Sequence, residues 1–326
     1  MKKYSIILPV RNGGPLLKEC VQSILNQNCN DFNLLILDNN STDGTLQYLE
    51  NLNDERIIIY PSLKDLTIVE NWSRILPVKK NEFITLIGHD DILYPSYLKD
   101  IDELIKEYPD AGLYQTHFNY IEFKGKVIRP CKPMESMQTA DEFIAAQMNQ
   151  TIDSMGTGYM MRSKDFDILG GMPTNYPNLI FADYELWVKL TQLSYKATSD
   201  KFCFSYRIHR SVSKTTNGEA YADAFKKYVL FLSTLLIDKK IKKTIETNGH
   251  NFLMYFCQSL SHRILKTPLN IRKIKVGGFI EQCNQMAALL IPNQPFNPLN
   301  IFKIKLAKQL DNNKILSDLF RVFKRI

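Results

Sequence analysis

Two adjacent carboxylates, Asp90 and Asp91, follow His89 at the end of a short apolar run, Phe83 to Gly88 (FITLIG). A run of that length and β-branched content suits a buried strand of a parallel sheet. Carboxylates at the carboxyl end of such a strand repel each other and lose hydration, so a cation or several hydrogen-bond donors must sit between them. A hard divalent ion, Mg2+ or Mn2+, takes oxygen ligands and commonly combines one or two carboxylates with phosphate oxygens, which points to a nucleotide diphosphate. The competing reading makes Asp90 and Asp91 caps of a helix beginning near Pro95. What surrounds them decides between the two.

The preceding chain alternates apolar runs with helical patterns. Ser5 to Val10 reads as a first buried strand, ending at Pro9 and the flexible Arg11-Asn12-Gly13-Gly14. From Pro15 to about Gln27, Leu16, Leu17, Val21, Ile24 and Leu25 recur at helical spacing. Phe32 to Leu37 and Arg56 to Tyr60 read as further strands, with helices predicted over Thr45 to Asn51 and Leu66 to Leu76. Such alternation implies right-handed βαβ units and a largely parallel sheet. Ligands then bind outside the carboxyl ends of the strands, where Pro9 to Asn12, Asp38 to Asp43 and His89 to Asp91 fall. Gly13-Gly14 lacks the spacing of a dinucleotide fingerprint and no GxxxxGK[ST] loop exists, which disfavours a NAD enzyme or a P-loop nucleoside triphosphatase.

The 326 residues suffice for a large α/β domain with an appendage, or for two domains. No apolar run approaches the roughly 20 residues that cross a bilayer, and Tyr4 to Val10 is too short for a signal peptide, so a cytoplasmic location is expected. The cysteines, Cys20, Cys29, Cys131, Cys203, Cys257 and Cys283, show no CxxC pair or metal-ligand rhythm and read as isolated thiols in a reducing compartment. From Glu219 onward there are 18 Lys and Arg against 7 Asp and Glu, a net of +11; the whole chain carries +7, which leaves −4 for residues 1–218. The two parts have different partners.

The segments SIILPVRNGGPLLKECVQSILNQ, DFNLLILDNNSTDGT, ENW and GHDDIL resemble, in order and spacing, the nucleotide-sugar-binding half of family-2 glycosyltransferases with the GT-A fold. LGGMP (Leu169 to Pro173), ADYELWVKL (Ala182 to Leu190) and YRIHRSVS (Tyr206 to Ser213) look like that family's Gly-Gly turn, its Glu-Asp-plus-helix motif and its closing segment. The resemblance covers roughly residues 1–215. It implies an α/β architecture, a GT-A (Rossmann-like), mostly parallel sheet flanked by helices; the charge and apolar spacing of the remaining residues add a C-terminal helical basic region. The expected domains are a nucleotide-sugar-binding and catalytic domain, 1–217, and a helical basic region, 218–326.

Carried over by position, the resemblance implies that the backbone of Pro9, Val10 and Arg11 and the side chains of Asp38 and Asn39 hold uracil and ribose. The family usually has two Asp at the latter pair, which leaves open which of them meets the base. Asn71 would line the donor site, Asp90 would face the ribose or diphosphate, and Asp91 would ligate the metal beside Asp90. Family members often have another Asp where Gly88 stands. Asp183 is implied as catalytic base: inverting transfer needs a carboxylate to accept the proton of an acceptor hydroxyl as its oxygen attacks the anomeric carbon opposite the leaving diphosphate. Metal would stabilise the charge growing on that leaving group. Glu185 is the reserve base, and Ala182 stands where the motif often has Glu. Asp183 also suits the N-cap of a helix over Tyr184 to Leu193. Gly156-Thr157-Gly158 gives close backbone approach with one hydroxyl, a lining for a donor or acceptor sugar or an ordinary turn. Trp187 packs in the core or walls the acceptor pocket. His209 is a candidate for the metal or the diphosphate, with Arg207, Arg210 and Ser213 as further phosphate contacts.

Beyond Asn217 apolar helices interleave with lysine. Ile301 to Ile326 carries 7 Lys and Arg against 2 Asp, in two amphipathic halves broken near Asp311-Asn312-Asn313. Such helices suit the anionic inner leaflet of a membrane, where each cation near the surface is worth about 1 kcal/mol, or else pack on the catalytic domain or a second subunit. Nucleic acid is disfavoured, because no recognition motif is present and the sheet half is acidic. The combined expectation is a cytoplasmic or peripheral-membrane, Mn2+- or Mg2+-dependent inverting hexosyl- or N-acetylhexosaminyl-transferase. Its donor would be a nucleotide diphosphate sugar, UDP favoured, and its acceptor a cell-surface glycan or its lipid-linked precursor. No QxxRW signature of a processive synthase is present. The rivals are a nucleotidyltransferase, for which RNGG is too short a phosphate loop, and an inactive nucleotide- or glycan-binding assembly module.

Overall fold

Strand β1 (Tyr4–Val10) is buried at every position because it is covered on both edges and both faces. It pairs in parallel with β2 (Phe32–Asp38) on one side and β4 (Phe83–Leu86) on the other. A computed structural model describes residues 2–208, 216–268 and 272–323. β3 (Ile57–Ile59) extends the parallel series beyond β2, and α1 (Gly14–Leu25), α2 (Thr45–Glu50) and α3 (Ile68–Ser73) are the crossover helices. In α1, Leu16, Leu17, Cys20, Val21 and Ile24 form the buried stripe. α3 opens on a capping box in which Thr67 and Glu70 satisfy each other's backbone donors.

After β4 come β5 (Ile92–Leu93), α4 (Tyr97–Glu107), β6 (Leu113–Ile121), β7 (Val127–Pro130), β8 (Met137–Gln138), α5 (Ala140–Met148), β9 (Tyr159–Arg162), α6 (Ser163–Ile168), α7 (Ala182–Leu193) and β10 (Lys196–Arg207). The sheet order is β3-β2-β1-β4-β9-β6-β10-β5, with β7 on β6 and β8 on β10. The parallel sheet expected from the alternation is present in β3-β2-β1-β4 and in the long pair β6-β10, while β9 joins antiparallel between β4 and β6.

The chain divides into two compact units. The first holds this sheet; the second comprises Ser211–Ile326 with the earlier segments Ile144–Gln150 and Asn175–Ala182. In the second, α8 (Gly218–Thr234), α9 (Lys239–Lys266) and α10 (Val276–Leu290) enclose an aromatic core in which Phe225 stacks on Phe256 and Phe181 on Tyr228. α11 (Phe302–Asn312) buries Ile304 and Ala307, and its Asp311 accepts from the Arg272 guanidinium and from the backbone N–H of Val276. The first amphipathic half of the basic tail is therefore already packed within its own unit. α12 (Lys314–Phe323) leaves Ile315, Leu316 and Leu319 exposed. All six cysteines are free thiols, and all but Cys29 are buried. Among the described residues no helix is long and apolar enough to cross a membrane.

Candidate active site

The loops leaving β1 and β2 are laced together by side chains that the sequence supplies in two short polar runs. The Asn12 N–H donates to Ser41 Oγ, Thr42 N–H to Asn12 Oδ1, and Gly13 N–H to Thr45 Oγ1, at 2.9, 2.8 and 3.0 Å. Asn39 N–H donates to the Val10 carbonyl at 2.9 Å. Arg11 reaches out to Asp65 at 2.5 Å, and Asp65 also accepts from Asn40.

Within this frame Asp38 and Asn39 have different work. Asn39 is buried and its amide is spent on one peptide: Nδ2 donates to the Leu66 carbonyl and Oδ1 accepts from the Leu66 N–H, both at 2.8 Å. Asp38 is fully buried; Oδ2 accepts from Ser41 N–H at 3.2 Å, whereas Oδ1 has no hydrogen-bond partner. A buried carboxylate oxygen without a donor is costly unless something fills its lone pairs. Asn71, also buried, donates to the Leu37 carbonyl and accepts from Arg74, whose guanidinium further holds the carbonyls of Asp38 and Tyr60. Asn39 and Asn71, expected at the donor, are thus engaged in fastening the ends of β2 and β3.

The carboxylate loop follows β4. Asp91 is buried and its Oδ1 accepts from the Arg207 N–H at 2.9 Å, so the last residue of β10 closes over the loop. Burial, then the charge of Asp90, raises the Asp91 carboxyl well above the ordinary carboxylate range. Both carboxylates converge on Gly88: a Cβ there would lie 2.6 Å from Asp90 Oδ1 and 3.2 Å from Asp91 Oδ2. Two crowded carboxylates, with Asp91 buried beside the charge of Asp90, fit a hard divalent cation, which would relieve their repulsion. Among the described residues no group of three or more His, Cys, Asp or Glu could enclose a metal alone, so substrate or water oxygens would complete its shell. His209, the expected third protein ligand, lies outside the described residues, as do Arg210 and Ser213.

Arg207 itself corrects an expectation. Its guanidinium is wholly buried: Nε donates to the Asp90 carbonyl at 2.7 Å, Nη1 to the carbonyls of Glu122 and Phe123, and Nη2 to Glu19 at 2.6 Å. With its donors consumed it is a clamp on the carboxylate loop and not a phosphate contact.

Asp183 lies inside the first turn of α7, since the helix starts at Ala182 and not at Tyr184. Its carboxyl takes a hydrogen bond from the Tyr184 backbone, yet burial wins and pushes it from 3.8 up to about 6. Its Oδ2 lies 3.8 Å from where a Gly156 Cβ would be. Glu185, the reserve candidate, is buried and held by Lys189 at 2.5 Å. Trp187 is fully buried, stacked on Tyr159, and donates from Nε1 to the Met155 carbonyl at 2.9 Å, so it holds the segment leading into Gly156 from within the core. Thr157 is buried too, its hydroxyl donating to the Leu86 carbonyl and accepting from Gly88 N–H, which ties this loop to the carboxylate loop. Gly158 takes φ +78, and a Cβ there would strike the Phe204 ring at 2.4 Å.

One residue that the sequence reading passed over joins these parts. Burial raises the Tyr206 phenol, and Asp91, Asp90 and Asp183 raise it further, so one side chain feels all three carboxylates. Its place beside Arg207 in the YRIH segment was the available signal.

The family model described as glycosyl transferase family 2 matches residues 5–169, half of the chain. An uncharacterized glycosyltransferase of Methanocaldococcus jannaschii is 24% identical over 267 residues, 80% of this chain and 87% of that one. S. aureus TarS 1-349 in complex with UDP-GlcNAc superposes with a TM-score of 0.67 at 15% identity, covering 98% of this chain and 91% of that one. The mannosyltransferase PcManGT from Pyrobaculum calidifontis, in complex with GDP-Man and Mn2+, superposes at 0.53 with 12% identity, covering 99% and 88%. The chain belongs to glycosyl transferase family 2 and is a glycosyltransferase built on the GT-A fold.

Proposed function

We propose that this glycosyltransferase is metal-dependent and inverting, moving a sugar from a UDP-linked donor to a hydroxyl of a glycan or a lipid-linked glycan precursor. The observation that carries the reading is the link between the two loops: Asp183 Oδ2 lies 3.8 Å from where a Gly156 Cβ would be, while the next residue, Thr157, accepts from the N–H of Gly88, the glycine on which Asp90 and Asp91 converge. The nucleotide would lie across the ends of β1 and β2, with the unpartnered Asp38 Oδ1 accepting from the N–H of the base and the backbone of Pro9, Val10 and Arg11 beside it. Asp90 and Asp91 would hold the divalent ion, Mn2+ or Mg2+, which when bound supplies charge neutralisation for the departing diphosphate.

Asp183 accepts the proton of the acceptor hydroxyl. Its raised pKa, about 6, keeps it ionised at neutral pH while making it a stronger base than an exposed aspartate. The oxygen so activated attacks the anomeric carbon from the face opposite the leaving group, which inverts the configuration. Nucleotide-sugar complexes of the structural neighbours, with UDP-GlcNAc in one and GDP-Man and Mn2+ in another, support the donor class. The test is nucleotide release from UDP-, GDP- and dTDP-sugars with Mn2+ or Mg2+, comparing wild type with Asp91→Asn and Asp183→Asn. Turnover of one donor that needs metal, is lost in both variants and leaves UDP binding intact in Asp183→Asn is the expected result. Nucleotide binding without turnover of any donor, with a broad acceptor mixture present, would replace the reading with that of a binding module.

A further inference from the structure

The turn that joins β6 to β7 exposes every residue from Glu122 to Pro130. Three of them are large and apolar: Phe123, Val127 and Ile128 stand 58%, 51% and 53% exposed. Lys124 and Lys126 flank the Gly125 turn, and Glu122 is the one carboxylate of the stretch, so a cationic tip projects from a half of the chain that is acidic overall. The base is rigid. Arg129 pairs with both oxygens of Asp153 at 2.9 and 3.0 Å and lies over the Tyr120 ring at 4.0 Å.

An exposed apolar edge strand invites another strand to pair with it, but β7 is poorly built for that. Ile128 is an extra residue between the pairs Ile121 with Val127 and Tyr120 with Arg129, and such a bulge breaks the ladder; Pro130 removes a donor at its end. What remains is apolar bulk set among cations at the tip of a rigid hairpin, the composition that partitions into an anionic lipid interface. The hairpin is also close to the chemistry, since the Arg207 guanidinium that holds the Asp90 carbonyl donates to the carbonyls of Glu122 and Phe123.

We propose that the β6–β7 hairpin docks the protein on an anionic bilayer, with Phe123, Val127 and Ile128 entering the interface and Lys124 and Lys126 meeting lipid phosphates. Docking there sets the carboxylate loop near the lipid surface, where a lipid-borne acceptor would be presented. The surface stands whether or not the sugar-transfer chemistry is as proposed above.

The full chain is mixed with vesicles of phosphatidylcholine alone or with an equal part of phosphatidylglycerol, and the bound fraction is read by co-sedimentation. Wild type is expected to pellet with the anionic vesicles and not with the neutral ones. Lys124→Gln/Lys126→Gln should weaken that binding roughly thirtyfold, two cations at about 1 kcal/mol each. Val127→Ser/Ile128→Ser should abolish most of it, with thermal midpoints and UDP binding of both variants unchanged. Wild type that ignores the anionic vesicles overturns the proposal, and so do variants that bind as wild type, which would move the contact to another segment such as α12. A dimer in lipid-free sedimentation that Val127→Ser/Ile128→Ser dissociates also overturns it, by giving the edge to a second copy.

Discussion

Replacing Asp183 with Asn should make the protein more stable while removing its turnover. A carboxyl raised from 3.8 to about 6 by burial is one whose ionised form the fold disfavours. At about 1.36 kcal/mol per pH unit the rise is worth about 3 kcal/mol, which we reduce to about 2 kcal/mol because the half-buried group keeps some solvent screening. The sign follows from linkage: the unfolded chain releases this proton more readily, so the penalty is full above pH 6, fades as pH falls from 6 towards 4, and is absent below the unfolded value. Asn retains the oxygen that accepts from the Tyr184 backbone but carries no charge, so the variant escapes the penalty. Its thermal midpoint at pH 7.5 should exceed that of wild type by about 4–8 °C, and the two should coincide near pH 4. Turnover should fall by a factor of about 10²–10⁴, and kcat/KM of wild type should show an acid limb near pH 6. A midpoint difference that does not vary with pH, or full wild-type turnover at pH 5, would refute the assignment of a desolvated base.

Other parts of the site make separate predictions. Asp38→Asn should weaken UDP binding by about 1–3 kcal/mol in calorimetry with little change in stability, because Ser41 N–H keeps an oxygen to donate to; unchanged affinity would mean that Oδ1 does not meet the base. Arg207→Met should lower stability by about 3 kcal/mol in urea unfolding, since the carbonyls of Asp90, Glu122 and Phe123 lose their donor together; a mere loss of nucleotide affinity at full stability would restore it as a phosphate contact. Gly158→Ala should cost about 3 kcal/mol through its left-handed backbone and the Phe204 ring, read as a lowered urea midpoint. Chelation of divalent ions should stop nucleotide release, and Mn2+ or Mg2+ should restore it; turnover indifferent to chelator would remove Asp91 from the mechanism.

The loops after β1, β2 and β4 were legible because each begins where an apolar run stops at polar residues, and the parallel sheet then brings their ends side by side. The division of labour inside those loops was not legible. Asp38 and Asn39 read as a pair, yet strand alternation sends their side chains opposite ways, one to a peptide 27 residues on and the other to a buried oxygen left open. Trp187 shows the same limit: helical spacing announces that it is buried, but not that its indole would hold the carbonyl just before Gly156.

Arg207 carries the point further. An arginine in a polar closing segment reads as a phosphate ligand, and only the antiparallel pairing of β5 with β10 brings it 117 residues back onto the Asp90 carbonyl. Once there, a guanidinium has five donors to satisfy in a dry environment, and the carbonyls of the loop and the hairpin, with Glu19, are the acceptors in reach. A residue expected among the further phosphate contacts is therefore the one that holds the carboxylate loop in place. By the same clamp the Glu122–Phe123 turn and the Asp90 carbonyl are tied through one side chain, the direct hydrogen-bonded link by which docking at the hairpin, as proposed, would reach the carboxylate loop.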